Sequence, residues 1–157
     1  MYDLLAQRFV SFGLSGFNRN DQAAARDVLT VLRPGDLVLR DLGYFVVASL
    51  EQILQAGAFF LSRLRLDTGL VAARSGQPLN LLGVLKRHGR FDGQVWLGGA
   101  RLSVRLVAVQ LPEAGAAARR RKARQNRDRR FPPNAPHPGL LGWAIFVTNV
   151  PQEVWSA

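Results

Sequence analysis

The chain has 157 residues, of which 48% are hydrophobic, and it carries a formal net charge of +10 at pH 7. This length is enough for one domain with a buried core, and the hydrophobic content excludes a globally disordered chain. The chain has no cysteine, which excludes disulfides and thiolate metal sites. The two histidines, His88 and His137, lie too far apart in sequence to indicate a histidine-rich metal site. Carboxylates therefore remain as candidate ligands for a hard metal ion.

Nothing in the sequence predicts contact with a membrane. Asp3 and Arg8 interrupt the N-terminal apolar residues, which is not the layout of a signal peptide. The most apolar region, residues 42–64, includes Glu51 and Arg63 and is therefore a poor membrane span. We expect a protein of the reducing cytoplasm.

The first forty residues predict short strands, a helix and a further strand. Apolar side chains alternate with polar ones in residues 1–20, which is typical of extended chain. Asp21 is a candidate N-cap for a helix that Pro34 ends. The apolar run from Leu37 to Leu39 then predicts a buried, interior strand.

A helix and a second strand follow. Apolar residues recur at helical spacing within residues 45–56, and Gly57 is the candidate stop. Residues 58–65 alternate again as a strand. Strand, helix and strand in succession favour a right-handed parallel crossover.

The second half of the chain predicts mostly β-structure. A Gly98-Gly99 turn indicates a hairpin, and residues from Glu113 onward predict a helix. The proline-rich residues 131–139 indicate a linker. Residues 140–150 predict a last strand, after which Asn149 is a candidate cap for a short helix.

A basic block between Arg119 and Arg130 contains eight cationic residues and one acid, Asp128. Such a block attracts phosphate backbones by Coulomb steering and counterion release. It contains no aromatic residue, so neither base stacking nor sequence reading is indicated. The alternative is a solvated tract without a specific partner. We predict DNA contact by the eight cations: Arg119, Arg120, Arg121, Lys122, Arg124, Arg127, Arg129 and Arg130.

Asp41 is a candidate site residue, because it directly follows a predicted strand. In open α/β sheets the ligand crevice lies beyond the carboxyl ends of the strands, where a carboxylate can face a metal or a substrate. The alternative is that Asp41 caps the next helix.

The residues around Asp41 carry a resemblance to a known family. The segment Gly-Asp-Leu-Val-Leu-Arg-Asp-Leu-Gly-Tyr-Phe, residues 35–45, resembles the second-aspartate motif of DDE transposases of the insertion-sequence-four type. Similar segments occur in the family's order at Asn20-Asp21, Gly57 to Arg65 and Phe146 to Asn149. The resemblance covers most of the chain. It implies an α/β (α+β) fold with a partial ribonuclease-H-like core and a β-rich insertion.

The resemblance also implies a division of the chain. Residues 1–66 would form part of the ribonuclease-H-like DDE catalytic core. Residues 67–139 would form the β-rich insertion with the basic block and the proline-rich linker, and residues 140–157 would form the return strand of the core.

In the family, three carboxylates hold two divalent metals for DNA cleavage and strand transfer. Asp41 matches the second acid, which implies a catalytic and metal-binding role with Mg²⁺ or Mn²⁺. Asp3 and Asp21 lack the surroundings of the first acid, and Glu153 lacks those of the third. We therefore expect a transposase fragment truncated at both ends, inactive alone and without a stably bound metal.

Two further arginines enter through the resemblance. The family has arginine directly after the second aspartate, where this chain has Leu42. Residues 40 and 42 of an extended strand share a face, so we predict that Arg40 supplies that charge and contacts DNA. Arg63 matches a family arginine near the DNA; the alternative is an ordinary strand-end arginine.

The implied partner is DNA, at transposon ends, and the implied location is the bacterial cytoplasm with association to the nucleoid. A rival hypothesis is a non-enzymatic nucleic-acid-binding module in which the basic block is the whole function. A folded remnant without a selected role is a third.

Overall fold

The computed structural model describes residues 1–11, 13, 21–125 and 138–155. The strands within these residues are β1 (Tyr2–Asp3), β2 (Arg8–Phe9), β3 (Leu37–Arg40), β4 (Phe59–Arg63), β5 (Leu70–Ala72), β6 (Arg90–Leu97), β7 (Leu102–Gln110) and β8 (Trp143–Thr148). The α-helices are α1 (Val47–Gln55), α2 (Leu81–His88) and α3 (Glu113–Gln125), and 3-10 helices span Ala23–Thr30, Leu42–Tyr44 and Pro138–Gly142.

One six-stranded sheet, in the order β3-β4-β8-β7-β6-β5, organises the described residues. β3 and β4 are parallel, and every other neighbouring pair is antiparallel. β1 and β2 form a separate two-stranded ribbon. The mixed sheet with its helices confirms the predicted α/β class and is consistent with a partial ribonuclease-H-like core.

The predicted strand–helix–strand unit is confirmed. β3 and β4 pair in parallel from Leu37 opposite Phe59 to Arg40 opposite Ser62, with α1 in the connection. α1 contributes Leu50 and Ile53, both fully buried, to the hydrophobic core that also contains Phe60. α1 ends shortly before Gly57, whose φ is +72°, a conformation that glycine adopts without strain.

The prediction that β3 is a buried, interior strand is wrong. β3 is an edge strand among the described residues, and Leu37 and Leu39 are 46% and 53% exposed. An apolar run predicts that a strand belongs to a sheet. It does not show whether both faces of the strand are buried or whether both of its edges pair with other strands. Val38, on the other face of β3, packs against the core as expected.

Two predicted helix caps are also wrong. The 3-10 helix Ala23–Thr30 begins after Gln22, without a side-chain cap, so Asp21 does not have that role. Asn149 caps no helix, because turn residues follow it in the described chain. Its amide instead extends the ladder of β4: its Oδ1 accepts from the Phe60 N–H at 2.8 Å, and its Nδ2 donates to the Ala58 carbonyl at 2.9 Å.

Helix α2 was not predicted, although its ends carry clear signals. Asn80 is the N-cap, and its Oδ1 accepts from the Gly83 N–H at 2.9 Å. Gly89 ends the helix with a φ of +73°. Leu81 and Leu85 bury the inner face of α2 in the same core as α1.

None of the helices in the described ranges has the length and apolar character needed to cross a bilayer.

Candidate nucleic-acid interface

Asp41 lies where the sequence predicts, immediately after β3. Its backbone is extended, with φ of −82° and ψ of 169°, and it precedes the 3-10 helix Leu42–Tyr44. Its side chain makes no capping hydrogen bond with that helix, so the alternative of a helix cap is not supported. The carboxylate is 75% exposed and is therefore available to other groups at the sheet edge.

Arg63 lies beside Asp41 because β3 and β4 are parallel and end at the same edge of the sheet. Arg63 Nη1 is 3.4 Å from Asp41 Oδ1, and the two side chains are 42% and 75% exposed. Exposed ion pairs of this kind contribute about 0–1 kcal/mol. The Arg63 guanidinium can therefore leave Asp41 at little cost when a better anion is present.

Arg119 brings the basic block to this same edge. Its Nη1 donates to the Trp143 carbonyl at 2.8 Å, at the first residue of β8. β8 runs antiparallel to β4 with Phe146 opposite Arg63, so the start of β8 lies beyond the carboxyl end of β4. Burial lowers the pKa of Arg119, and the positive charge of Arg63 lowers this pKa further. The two guanidinium groups are therefore close enough for their charges to interact.

The rest of the basic block divides into three parts. Arg120 forms an ion pair with Glu113, which lies on the same helix. Arg121, Lys122 and Arg124 are exposed, so these three cations are available to a large anionic partner. The last members of the predicted block lie outside the described residues: Arg127, Arg129 and Arg130.

Arg40 is buried and is therefore not available for the predicted contact with DNA. It is 9% exposed, and its guanidinium donates to the carbonyl oxygens of Ala25 and Tyr44. Burial lowers its pKa. Leu42 belongs to a 3-10 helix rather than to the strand, so residues 40 and 42 do not share a strand face. Arg40 therefore ties β3 to neighbouring backbone, and its burial argues against a DNA contact.

The described residues do not fit a divalent-metal centre. No group of three or more histidine, cysteine, aspartate or glutamate side chains converges anywhere in residues 1–11, 13, 21–125 and 138–155. Asp41 instead has an arginine as its nearest cation. A metal ion that used Asp41 would have to displace Arg63 and to find its other oxygen ligands elsewhere.

Comparison with known proteins identifies the family of this chain. The sequence-family model described as 'Transposase DDE domain' matches residues 1–141 of this chain. The chain belongs to this family. Membership confirms the resemblance to insertion-sequence-four-type transposases, a family whose chemistry depends on divalent metal ions.

Two relatives show how much of a transposase this sequence represents. The transposases for insertion sequence elements IS231C and IS231B of Bacillus thuringiensis subsp. berliner are 30% and 27% identical over 98% of the chain. The chain spans 36% of the length of each. A third relative, for IS231D of subsp. finitimus, is 42% identical over 66 residues, which is 42% of this chain and 14% of the relative. No solved structure matches the chain.

Sequence reasoning placed Asp41 and Arg63 at the ends of two predicted strands but treated the basic block as a separate segment. It missed that β8 inserts between β4 and β7 and carries the backbone acceptor for Arg119. The apolar run that begins at Trp143 signals a strand, but a strand's neighbours depend on pairing between segments far apart in sequence.

Proposed function

We propose that this chain is the middle part of a transposase catalytic core and that its partner is DNA, at transposon ends. The observation that carries the proposal is the meeting of Asp41, Arg63 and the basic helix α3 at the carboxyl edge of the parallel pair β3 and β4. This edge is where open α/β sheets bind ligands. The net charge of +10 favours a polyanionic partner. The alternative hypothesis, a non-enzymatic nucleic-acid-binding module, is not favoured by membership of the transposase family.

The proposed roles follow from exposure and charge. Arg63, Arg119 and the exposed cations of α3 hold the phosphate backbone, and the same role is proposed for Arg120 when Glu113 releases it. Asp41 is the carboxylate that this chain contributes to catalysis and to an Mg²⁺ or Mn²⁺ site. The described residues contain no convergent acids to complete such a site, so the chain alone is proposed to be inactive and without a stably held metal.

The proposed location is the bacterial cytoplasm, in association with the nucleoid. The supporting argument is electrostatic, because a strongly basic protein is attracted to the phosphate backbone without regard to sequence.

The exposed cations of α3 give the first test. A variant with Arg121, Lys122 and Arg124 changed to alanine should bind a duplex oligonucleotide more weakly than the unaltered chain. Its log–log salt dependence should be flatter by about 0.9 for each phosphate that the variant no longer neutralises. Fluorescence anisotropy at several salt concentrations measures both quantities.

A matched control has the same change of charge on other exposed sites: Arg74, Lys86 and Arg87 changed to alanine. It should retain the original salt dependence. Equal slopes for the two triple variants would contradict the assignment of α3 as the DNA-facing helix.

A further inference from the structure

We propose that Arg63 and Arg119 form one phosphodiester-binding site at the carboxyl edge of β3 and β4, adjacent to Asp41. This inference rests on the proposed function and sharpens it. It assigns one backbone phosphate of the DNA to two arginines that come from different elements, far apart in sequence.

The first support is the position of the two side chains. Arg63 is the last residue of β4, and Asp41 directly follows β3, its parallel neighbour. Arg119 reaches the same edge from α3, where it is held by the carbonyl of Trp143 at 2.8 Å. Since Phe146 lies opposite Arg63 and Trp143 precedes it by three residues, this carbonyl lies about 10 Å beyond Arg63 in the direction of the carboxyl end of β4, a distance that a long arginine side chain can bridge. Three strands thus bring Asp41, Arg63 and Arg119 together.

The second support is the balance of charge. Two cations share this edge with one carboxylate, and the single ion pair between Arg63 and Asp41 is long, at 3.4 Å, and exposed. The two guanidinium groups repel each other, and Arg119 is partly withdrawn from water, which is unfavourable for two like charges. One phosphodiester, with one negative charge, neutralises the excess and can bind both arginines.

The third support is pre-organisation. A guanidinium has five N–H donors in a fixed plane, and the bond to Trp143 uses a donor on Nη1 of Arg119. This bond fixes the plane of Arg119 while donors on the other nitrogens remain. Arg63, held only by a weak surface pair, is free to turn toward the same anion. Other protein–DNA contacts set the position of the duplex and therefore of this phosphate. One fixed arginine and one adjustable arginine can together bind a phosphate whose position is set in this way.

The site has a consequence for Asp41. When Arg63 turns to a phosphate it leaves the Asp41 carboxylate, so Asp41 competes with DNA for the same cation. Removal of the Asp41 charge should therefore strengthen DNA binding in the absence of metal, and this effect should require Arg63.

The test is a double-mutant cycle on duplex DNA binding, measured by fluorescence anisotropy over a range of NaCl concentrations. Arg63→Gln and Arg119→Gln should each weaken binding by about tenfold, as for the loss of one charged hydrogen-bonding group. Each should flatten the salt slope by about 0.9, because the phosphate contact requires both arginines. The double variant should show little further loss, because the two arginines share one phosphate. Arg87→Gln, an exposed arginine on α2, is the matched control and should change neither quantity.

A second cycle tests the link to Asp41. Asp41→Asn should tighten binding several-fold in the unaltered chain and by much less in the Arg63→Gln background. Asp41 and Arg63 are exposed, so this cycle remains informative if Arg119→Gln fails to fold by circular dichroism. Inorganic phosphate at matched ionic strength should not displace the DNA. Displacement by low concentrations of phosphate would assign the site to a free anion and overturn the proposal.

The outcomes separate the inference from the proposed function. If the unaltered chain binds duplex DNA but the two arginine substitutions are independent, with slopes that add, the shared site is refuted and the DNA interface stands. If the unaltered chain does not bind duplex DNA at low salt, the proposed function and the shared site both fail.

Discussion

At the scale of single residues, the most constrained charge in the described chain is Arg105, on β7. It is 4% exposed and makes a bidentate ion pair with Asp92 on β6, with both N···O distances at 2.7 Å. Its Nη1 also donates to the Trp155 carbonyl at 2.6 Å. The hydrogen bonds from Arg105 lower the pKa of Asp92, and the same bonds raise the pKa of Arg105. A buried arginine of this kind is stable only while its carboxylate partner is ionised.

Asp92→Asn should therefore destabilise the fold by about 3 kcal/mol, because it removes the only carboxylate among the described residues that forms a salt bridge with the buried guanidinium of Arg105. Urea denaturation at pH 7 measures this change. The matched control is Asp67→Asn, which removes an exposed partner of Arg65 and should cost less than about 1 kcal/mol.

The same ion pair predicts a dependence of stability on pH. Because folding lowers the pKa of Asp92, its contribution is fully present above the unfolded-state pKa of about 3.9 and is lost as the pH falls through the lower folded-state pKa. The unfolding free energy should decrease over this acid range, and Asp92→Asn should remove part of that decrease. Equal acid sensitivity in the variant would exclude Asp92 as a source.

At the scale of elements, Asn149 shows how β8 is fixed to β4. Its side-chain amide pairs with the backbone of Ala58 and Phe60 beyond the last regular ladder position. The neighbouring Thr148 adds a bond from its Oγ1 to the Phe60 carbonyl. Together they extend the contact between two strands whose regular pairing covers only Leu61 to Arg63.

Asn149→Ala should cost about 1–3 kcal/mol, since it leaves a part-buried N–H and a carbonyl without partners. Asn149→Asp keeps the acceptor for the Phe60 N–H and should restore part of the loss. Denaturant unfolding of the three proteins provides the measurement. A cost below about 0.5 kcal/mol, the scale of an ordinary surface substitution, would contradict this role.

The elements also show which parts of the fold were predictable from sequence. The parallel unit of β3, α1 and β4 was predictable because period-2 and period-3.6 patterns follow one another with a glycine stop between them. The β6–β7 hairpin was predictable from the Gly98-Gly99 turn. The burial of Arg40 was not predictable, because it depends on the exact residue at which β3 ends and the 3-10 helix Leu42–Tyr44 begins. The edge position of β3 was not predictable either, since it depends on strand pairing across the whole sheet.

At the scale of the whole molecule, the described residues supply only part of the catalytic site that family membership implies. Asp41 is the proposed catalytic carboxylate, but among the described residues it has Arg63, rather than further acids, beside it. The position was predictable from the motif around Asp41, whereas the approach of Arg119 depends on the placement of β8, which no local pattern indicates.

We expect the isolated chain neither to nick nor to join supercoiled DNA with Mg²⁺ or Mn²⁺. The physical reason is that one carboxylate does not hold a pair of metal ions against the competition of a neighbouring arginine. Gel analysis of plasmid topology provides the measurement, with Asp41→Ala as the control protein. Metal-dependent nicking that is lost in Asp41→Ala would show that other acids of this chain complete the site.

The central place of β8 in the sheet has a consequence for the order of folding. β8 is the only strand that joins the β3–β4 pair to the β5–β6–β7 group within the described sheet, and it lies far beyond β4 in sequence. Each of the two groups can form by local pairing, but their union must await a long loop closure, which is a slow step. Until then β4 and β7 each expose an unpaired edge, and a chain in that state is prone to pair with other copies of itself. Refolding yield should therefore fall steeply as protein concentration rises.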